Sequence, residues 1–120
     1  MMLLLSPLLG SGLSITASGS PIAGESYTLE CSAGGSEGTF QWLGPPDGRT
    51  PVVESRPRVS ISPTSGTATS SRLQFRPVQQ SDNGLYSCSA TVDGSILFSD
   101  PVNVSVNGTV MSFSIFMRYH

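Results

Sequence analysis

The chain has 120 residues, enough for one domain around one core, and 38% of them are hydrophobic. Only 12% are charged, every one of the six basic residues is arginine, and the net charge is −2. No basic stripe exists to neutralise phosphates, so a nucleic-acid-binding surface is excluded.

The elements declare themselves by period-two alternation between turn residues. The opening 1–12 is apolar. It reads as a short or truncated signal peptide without the usual positive start, although an internal fragment or an apolar first strand fits the same residues. The domain spans 13–107. Leu13 and Ile15 begin a strand that Pro21 and Gly24 break. Tyr27, Leu29 and Cys31 alternate with polar residues and face inward. After the flexible turn at 34–38, Phe40 and Trp42 face in while Gln41 and Leu43 face out. The turn at 44–48 is a hairpin connection, and Val52-Val53 begins a further short strand.

Val59 and Ile61, then Leu73 and Phe75, point inward on the next two strands, separated by a Ser/Thr-rich loop at 63–71. That loop is either a hydrophilic hairpin or a carrier of O-glycans. One helical turn is expected near 77–82. Tyr86, Cys88 and Ala90 alternate with Leu85, Ser87, Ser89 and Thr91. Asp93-Gly94 is the strongest hairpin signal in the chain. Val102, Val104 and Val106 form the last strand, with Asn103 and Ser105 outside. The apolar tail 108–120 lies outside the domain as a truncated or misjoined end. It is too short for a membrane helix and has no polar spacer of a lipid-anchor signal.

Two cysteines alone favour neither a disulfide nor free thiols. Their surroundings are more telling. Trp42 follows Cys31, and Asp82-Asn83-Gly84-Leu85-Tyr86-Ser87-Cys88 leads into the second cysteine. This Cys…Trp…Asp-x-Gly-x-Tyr-x-Cys framework resembles the immunoglobulin superfamily, in particular the intermediate-type domains of adhesion molecules and receptor ectodomains. The resemblance implies an all-β, two-sheet antiparallel Greek-key sandwich of seven to eight strands. It also implies a Cys31–Cys88 disulfide worth roughly 4 kcal/mol by the chain-entropy estimate. In that framework Trp42 packs on the disulfide, with Leu73 beside it in the core. Tyr86 makes a tyrosine corner, Gly84 allows a bend, and Asp82 pairs with Arg58 (or with Arg56). A disulfide in turn implies an oxidising compartment, either secreted or at the outer face of the plasma membrane.

No catalytic constellation accompanies the framework. The only histidine is His120 on the tail, no Gly-x-Ser-x-Gly occurs, and the acids are scattered. No enzyme activity, cofactor or metal is expected. Asn103-Val104-Ser105 and Asn107-Gly108-Thr109 are acceptor sequons for N-glycans, which would push a partner toward the loops or the opposite sheet. The candidate interface is the sheet carrying Trp42, Tyr86 and the last strand, through Leu43, Val53, Leu85, Ile96, Leu97 and Phe98. Two placements of the last three residues stay open. Either the run forms an exposed patch, or Ile96 and Phe98 turn into the core and leave Leu97 outside.

The function expected from this is recognition of a protein partner, homophilic or heterophilic. The chain would be a fragment of a cell-surface receptor or adhesion protein, with membrane attachment only through segments absent from it. The alternatives are a self-contained secreted single-domain factor and a structural spacer.

Overall fold

The computed structural model describes residues 12–63 and 66–108. The leader reading of 1–12 therefore falls almost wholly outside the described residues. The same is true of the tail beyond 108 and of two positions in the Ser/Thr-rich loop.

Nine strands follow in order: β1 Ser14–Gly19, β2 Tyr27–Ser32, β3 Thr39–Gly44, β4 Thr50–Pro51, β5 Val59–Ser62, β6 Ser70–Phe75, β7 Gly84–Val92, β8 Ser95–Phe98 and β9 Val102–Val104. A single 3₁₀ turn, Gln80–Asp82, precedes β7. One sheet has the order β1-β2-β6-β5. The other has the order β4-β3-β7-β8, with β9 also paired to β7. All strand pairs are antiparallel. With β8 and β9 taken as one strand along β7, interrupted at 99–101, this is the expected all-β immunoglobulin-like sandwich of seven to eight strands.

The alternation read from the sequence explains the core. On β2 the odd positions Tyr27, Leu29 and Cys31 are buried, and the even ones between them are half-exposed. On β6, Leu73 and Phe75 are buried with Ser71. Trp42 and Leu73 are almost fully enclosed beside the Cys31–Cys88 disulfide, whose Cα atoms are 6.6 Å apart. The disulfide joins β2 of one sheet to β7 of the other.

A second tie crosses the core, because the Trp42 Nε1–H donates to the buried Ser71 hydroxyl at 3.0 Å. The indole has one donor, and leaving it unpaired would cost roughly 1–3 kcal/mol. The serine therefore stands on the inward side of β6, with Leu73 and Phe75, as that donor's acceptor.

The short strand after the 44–48 turn lies earlier than expected, at Thr50–Pro51 in place of Val52-Val53. Val52 still donates its N–H to the Trp42 carbonyl at 3.0 Å and packs against the core. Val53 is 80% exposed. The backbone leaves the sheet at Val53 and folds back beside β5, where Ser55 and Val59 exchange backbone hydrogen bonds. No further hairpin intervenes between β4 and β5.

The N-terminal strand changes sheets. Up to Gly19 it pairs with β2. Beyond Pro21 it runs parallel to the segment that follows β9, with Asn107 N–H donating to the Pro21 carbonyl and Ala23 N–H to the Asn107 carbonyl. Proline cannot extend the first ladder, and the crossing begins there.

Candidate interaction face

The lower end of the second sheet, away from the Asp93-Gly94 hairpin, is closed by a polar cluster. Arg58 Nη1 donates to Asp82 Oδ2 at 2.8 Å and Nη2 to Oδ1 at 3.1 Å, a two-point contact. Arg56 pairs with Glu54 instead. Asp82 Oδ2 also accepts the Gln79 N–H, and the Tyr86 hydroxyl donates to the Asp82 carbonyl at 2.6 Å.

The ionisation of these groups follows from their surroundings. The Asp82 hydrogen bond, opposed by burial, raises the Arg58 guanidinium above its ordinary value. Burial first, and then the negative charge of Asp82, pushes the Tyr86 hydroxyl up to about 12. The Tyr86 ring meets Phe75 edge-on, with centroids 5.8 Å apart. Gly84 has φ +141°, and a Cβ there would lie 2.6 Å from Pro45 Cγ, so only glycine fits. Arg58, Asp82, Gly84 and Tyr86 together close the fold at this end.

The upper end is built differently, and its geometry turns on one extra residue. In β8, Ser89 stands opposite Phe98, Ala90 opposite Leu97 and Thr91 opposite Ile96. In β9, Tyr86 stands opposite Val102. Between these pairs β7 has two residues, Ser87 and Cys88, whereas the returning strand has three, Ser99, Asp100 and Pro101. This is a β-bulge. At the bulge Ser99 N–H donates to the Cys88 carbonyl at 2.9 Å, and the Cys88 N–H is taken by the Ser99 hydroxyl at 3.0 Å. Pro101 has no N–H to leave unpaired, which suits it to the interruption.

The bulge reverses the alternation. Val102 and Val104 share the inward side of Tyr86 and Gly84, yet Ile96 and Phe98, in phase with them along the sequence, face outward. Ile96 is 62% exposed and Phe98 58%. Leu97 packs against the core opposite the buried Ala90. The exposed-patch placement holds for Ile96 and Phe98 but not for Leu97, and the placement that buried Ile96 and Phe98 is corrected. The exposed members are Ile96 and Phe98, and Leu97 leaves the interface set. The tip that joins β7 to β8 has Asp93 at φ 51° and Gly94 at φ 81°, the pattern of a type I′ hairpin.

Ile96 and Phe98 form one wall of an open trough of about 740 Å³ on the outer face of the second sheet. Leu43 and Pro51 form the opposite wall, and the small or polar Ser87, Ser89 and Gln41 line its floor. No charged residue occurs on β3, β7 or β8. The only charges on the trough's rim are Asp47 and Arg49, of opposite sign, where Asp47 Oδ1 accepts the Arg49 N–H. Ser87, which its position would turn to solvent, is buried because its hydroxyl donates to the Gly48 carbonyl at 2.7 Å.

The remaining candidates lie elsewhere. Val53 lines the gap between β4 and β5. Leu85 faces outward lower on the sheet, beside the 44–48 turn, where a Cβ on Gly48 would meet Leu85 Cβ at 3.4 Å. Asn103 and Asn107 are both exposed. Ser99 and Pro101 were not singled out from sequence. Their only signal was an Asp-Pro pair interrupting an otherwise regular alternation.

Among the described residues, no group of three or more His, Cys, Asp or Glu could hold a metal, and no helix is long and apolar enough to cross a membrane. No curated protein matches the chain. The immunoglobulin domain family does: its sequence model matches residues 14–91, from the start of β1 through most of β7. The bulge and the Ile96–Phe98 ridge lie beyond that span. With the framework residues, the two-sheet topology and this match together, the chain belongs to the immunoglobulin domain family.

Proposed function

We propose that the chain is a non-catalytic extracellular recognition module of the adhesion or receptor kind. It engages a protein partner, homophilic or heterophilic, through the trough and ridge on the outer face of the β4-β3-β7-β8 sheet. Membership of the family and the cystine between the sheets support an oxidising, extracellular setting.

The observation that carries the reading is the bulge at 99–101, which directs Ile96 and Phe98 to solvent when a regular strand would have buried them. Bulges re-aim side chains at functional edges. Two large apolar groups beside a charge-free floor are the composition of an interface centre, where burial of aromatic anchors dominates binding. A homophilic contact is compatible with such a face, because two copies would meet without opposing like charges.

The experiment displays the full chain as a multivalent reagent against an array of purified ectodomains that includes the chain itself. Phe98→Arg and Ile96→Arg are expected to lower binding at least tenfold while leaving the unfolding midpoint unchanged. Binding that survives both substitutions would rule this face out.

A further inference from the structure

We propose that Asn103 carries an N-linked glycan that covers the lower half of the outer sheet face and leaves the trough above it open. The second part rests on the recognition face just described.

Three observations bear on the site. Asn103 and Ser105 are exposed while Val104 between them is 2% exposed, so the acceptor amide and the hydroxyl of the sequon project to the same, outward side. β9 pairs only with β7 among the described strands, so Asn103 stands at a sheet edge with room for a bulky group. Leu85 is the direct cross-strand partner of Asn103, which brings their Cβ atoms to about 5 Å on the same face. Leu85 is 36% exposed, an apolar surface on which the less polar face of the first sugar ring can lie.

Asn107 differs. Its side chain is exposed, but its backbone N–H and carbonyl are both bonded to the 21–23 segment, and it lies past the sheet. A glycan there would not reach Leu85 by direct pairing.

The chemistry is a group transfer. Asn103 Nδ2 forms a bond to C1 of the donor sugar and loses one proton. The bond from C1 to a lipid pyrophosphate breaks, and the pyrophosphate leaves with the electron pair. The donor is the lipid-pyrophosphate-linked oligosaccharide of the secretory pathway, so no oxidant or reductant is consumed.

A glycan at this position changes the expectation drawn from sequence. It need not drive a partner to the opposite sheet. Asn103 and Leu85 pair below the bulge, whereas Ile96 and Phe98 lie above it, so one face is divided into a sugar-covered half and an open half.

The test expresses the full chain behind a heterologous secretory leader in animal cells, as wild type, Asn103→Gln, Ser105→Ala and Asn107→Gln. Intact mass is read before and after enzymatic removal of N-glycans, and hydroxyl-radical labelling is read at Leu85 and Phe98. The wild type is expected to lose glycan mass from the Asn103 peptide, and Asn103→Gln and Ser105→Ala to abolish that loss. Labelling of Leu85 should rise in Asn103→Gln while that of Phe98 stays constant. A secreted, disulfide-linked wild type with unmodified Asn103 would overturn the site. So would a glycan mass that vanishes only in Asn107→Gln, and equal Leu85 labelling would overturn the covering. The same preparations go to the ectodomain array. A glycan on Asn103 with binding indifferent to Phe98→Arg defeats the recognition face alone. An unmodified Asn103 with binding lost in Phe98→Arg defeats the glycan alone.

Discussion

The two halves of β7 use one strand for opposite purposes. Below the bulge, Gly84 to Tyr86 pairs with β9, and the polar groups beside it are saturated by one another: Arg58 with Asp82, Tyr86 with the Asp82 carbonyl, and the Asn83 side chain with the Val106 N–H. Above it, Ser89 to Val92 pairs with β8, and the outer face carries exposed isoleucine and phenylalanine with no charge on the strands. Cys88 marks the border and ties both halves to the other sheet. The contrast shows that a stable closure and an exposed apolar surface can share a strand when one inserted residue separates their registers.

The comparison breaks most visibly at the closure. Asp82→Ala strands the Arg58 guanidinium and removes the acceptor of the Gln79 N–H. The expected loss is about 2–4 kcal/mol, below the full cost for a completely buried pair because Arg58 is partly exposed. Denaturant titration measures it, and a loss under half a kilocalorie per mole would show that the cluster contributes little.

The upper half is sharpened by neighbouring residues of opposite orientation. Leu97→Ala removes a side chain packed on the core and should cost about 1–2 kcal/mol, less than for a fully buried leucine. Phe98→Ala should stay within about 0.5 kcal/mol, since the ring is exposed. Equal costs in thermal melts would contradict the reversed alternation.

Tyr86→Phe deletes a single hydrogen bond, for about 1 kcal/mol. It also has a pH signature. The folded hydroxyl titrates near 12 against an ordinary value of 10.0. The native protein therefore holds this proton where the unfolded chain has released it. Stability is fully present below pH 10 and declines as pH rises from 10 toward 12. Stability–pH curves should lose that share of the alkaline decline in the variant, and an unchanged slope would refute the assignment.

The smallest effect belongs to Glu54, whose carboxylate accepts the Ile61 N–H on the outer edge of β5 and the Arg56 guanidinium. The Ile61 hydrogen bond is the main cause of its lowered pKa. The contribution is thus present above the ordinary value of 4.5 and fades as pH falls through the lower folded value. Glu54→Gln should flatten that acid limb slightly and leave neutral-pH stability nearly unchanged. An acid limb as steep as that of wild type would argue against the edge contact.

Much of this was legible in the chain. The framework from Cys31 through Trp42 to Cys88 named the fold, because each residue type answers a local demand. A tyrosine two places before the cysteine reaches a backbone carbonyl, and a glycine four places before it passes close to Pro45. Two-residue alternation gave the inward set on β2, β6 and β7 because β2 and β6 keep one register against each other and β7 keeps one register against β3. Ser71 was not legible as an acceptor, since a hydroxyl on a strand says nothing of an indole 29 residues away.

The stretch from Ser95 to Val106 marks the boundary between what sequence alone determined and what required the fold. By itself the sequence determined the family, the sandwich, the cystine and the acceptor sequons, all of which rest on residue identity at short spacing. Only the tertiary structure decided which side of the sheet Ile96 and Phe98 occupy. Their spacing is in phase with Val102, Val104 and Val106, and a single extra residue opposite Ser87 reverses the faces. A period-two pattern carries no mark of such a shift, because it arises from pairing with another strand rather than from the residues that are turned.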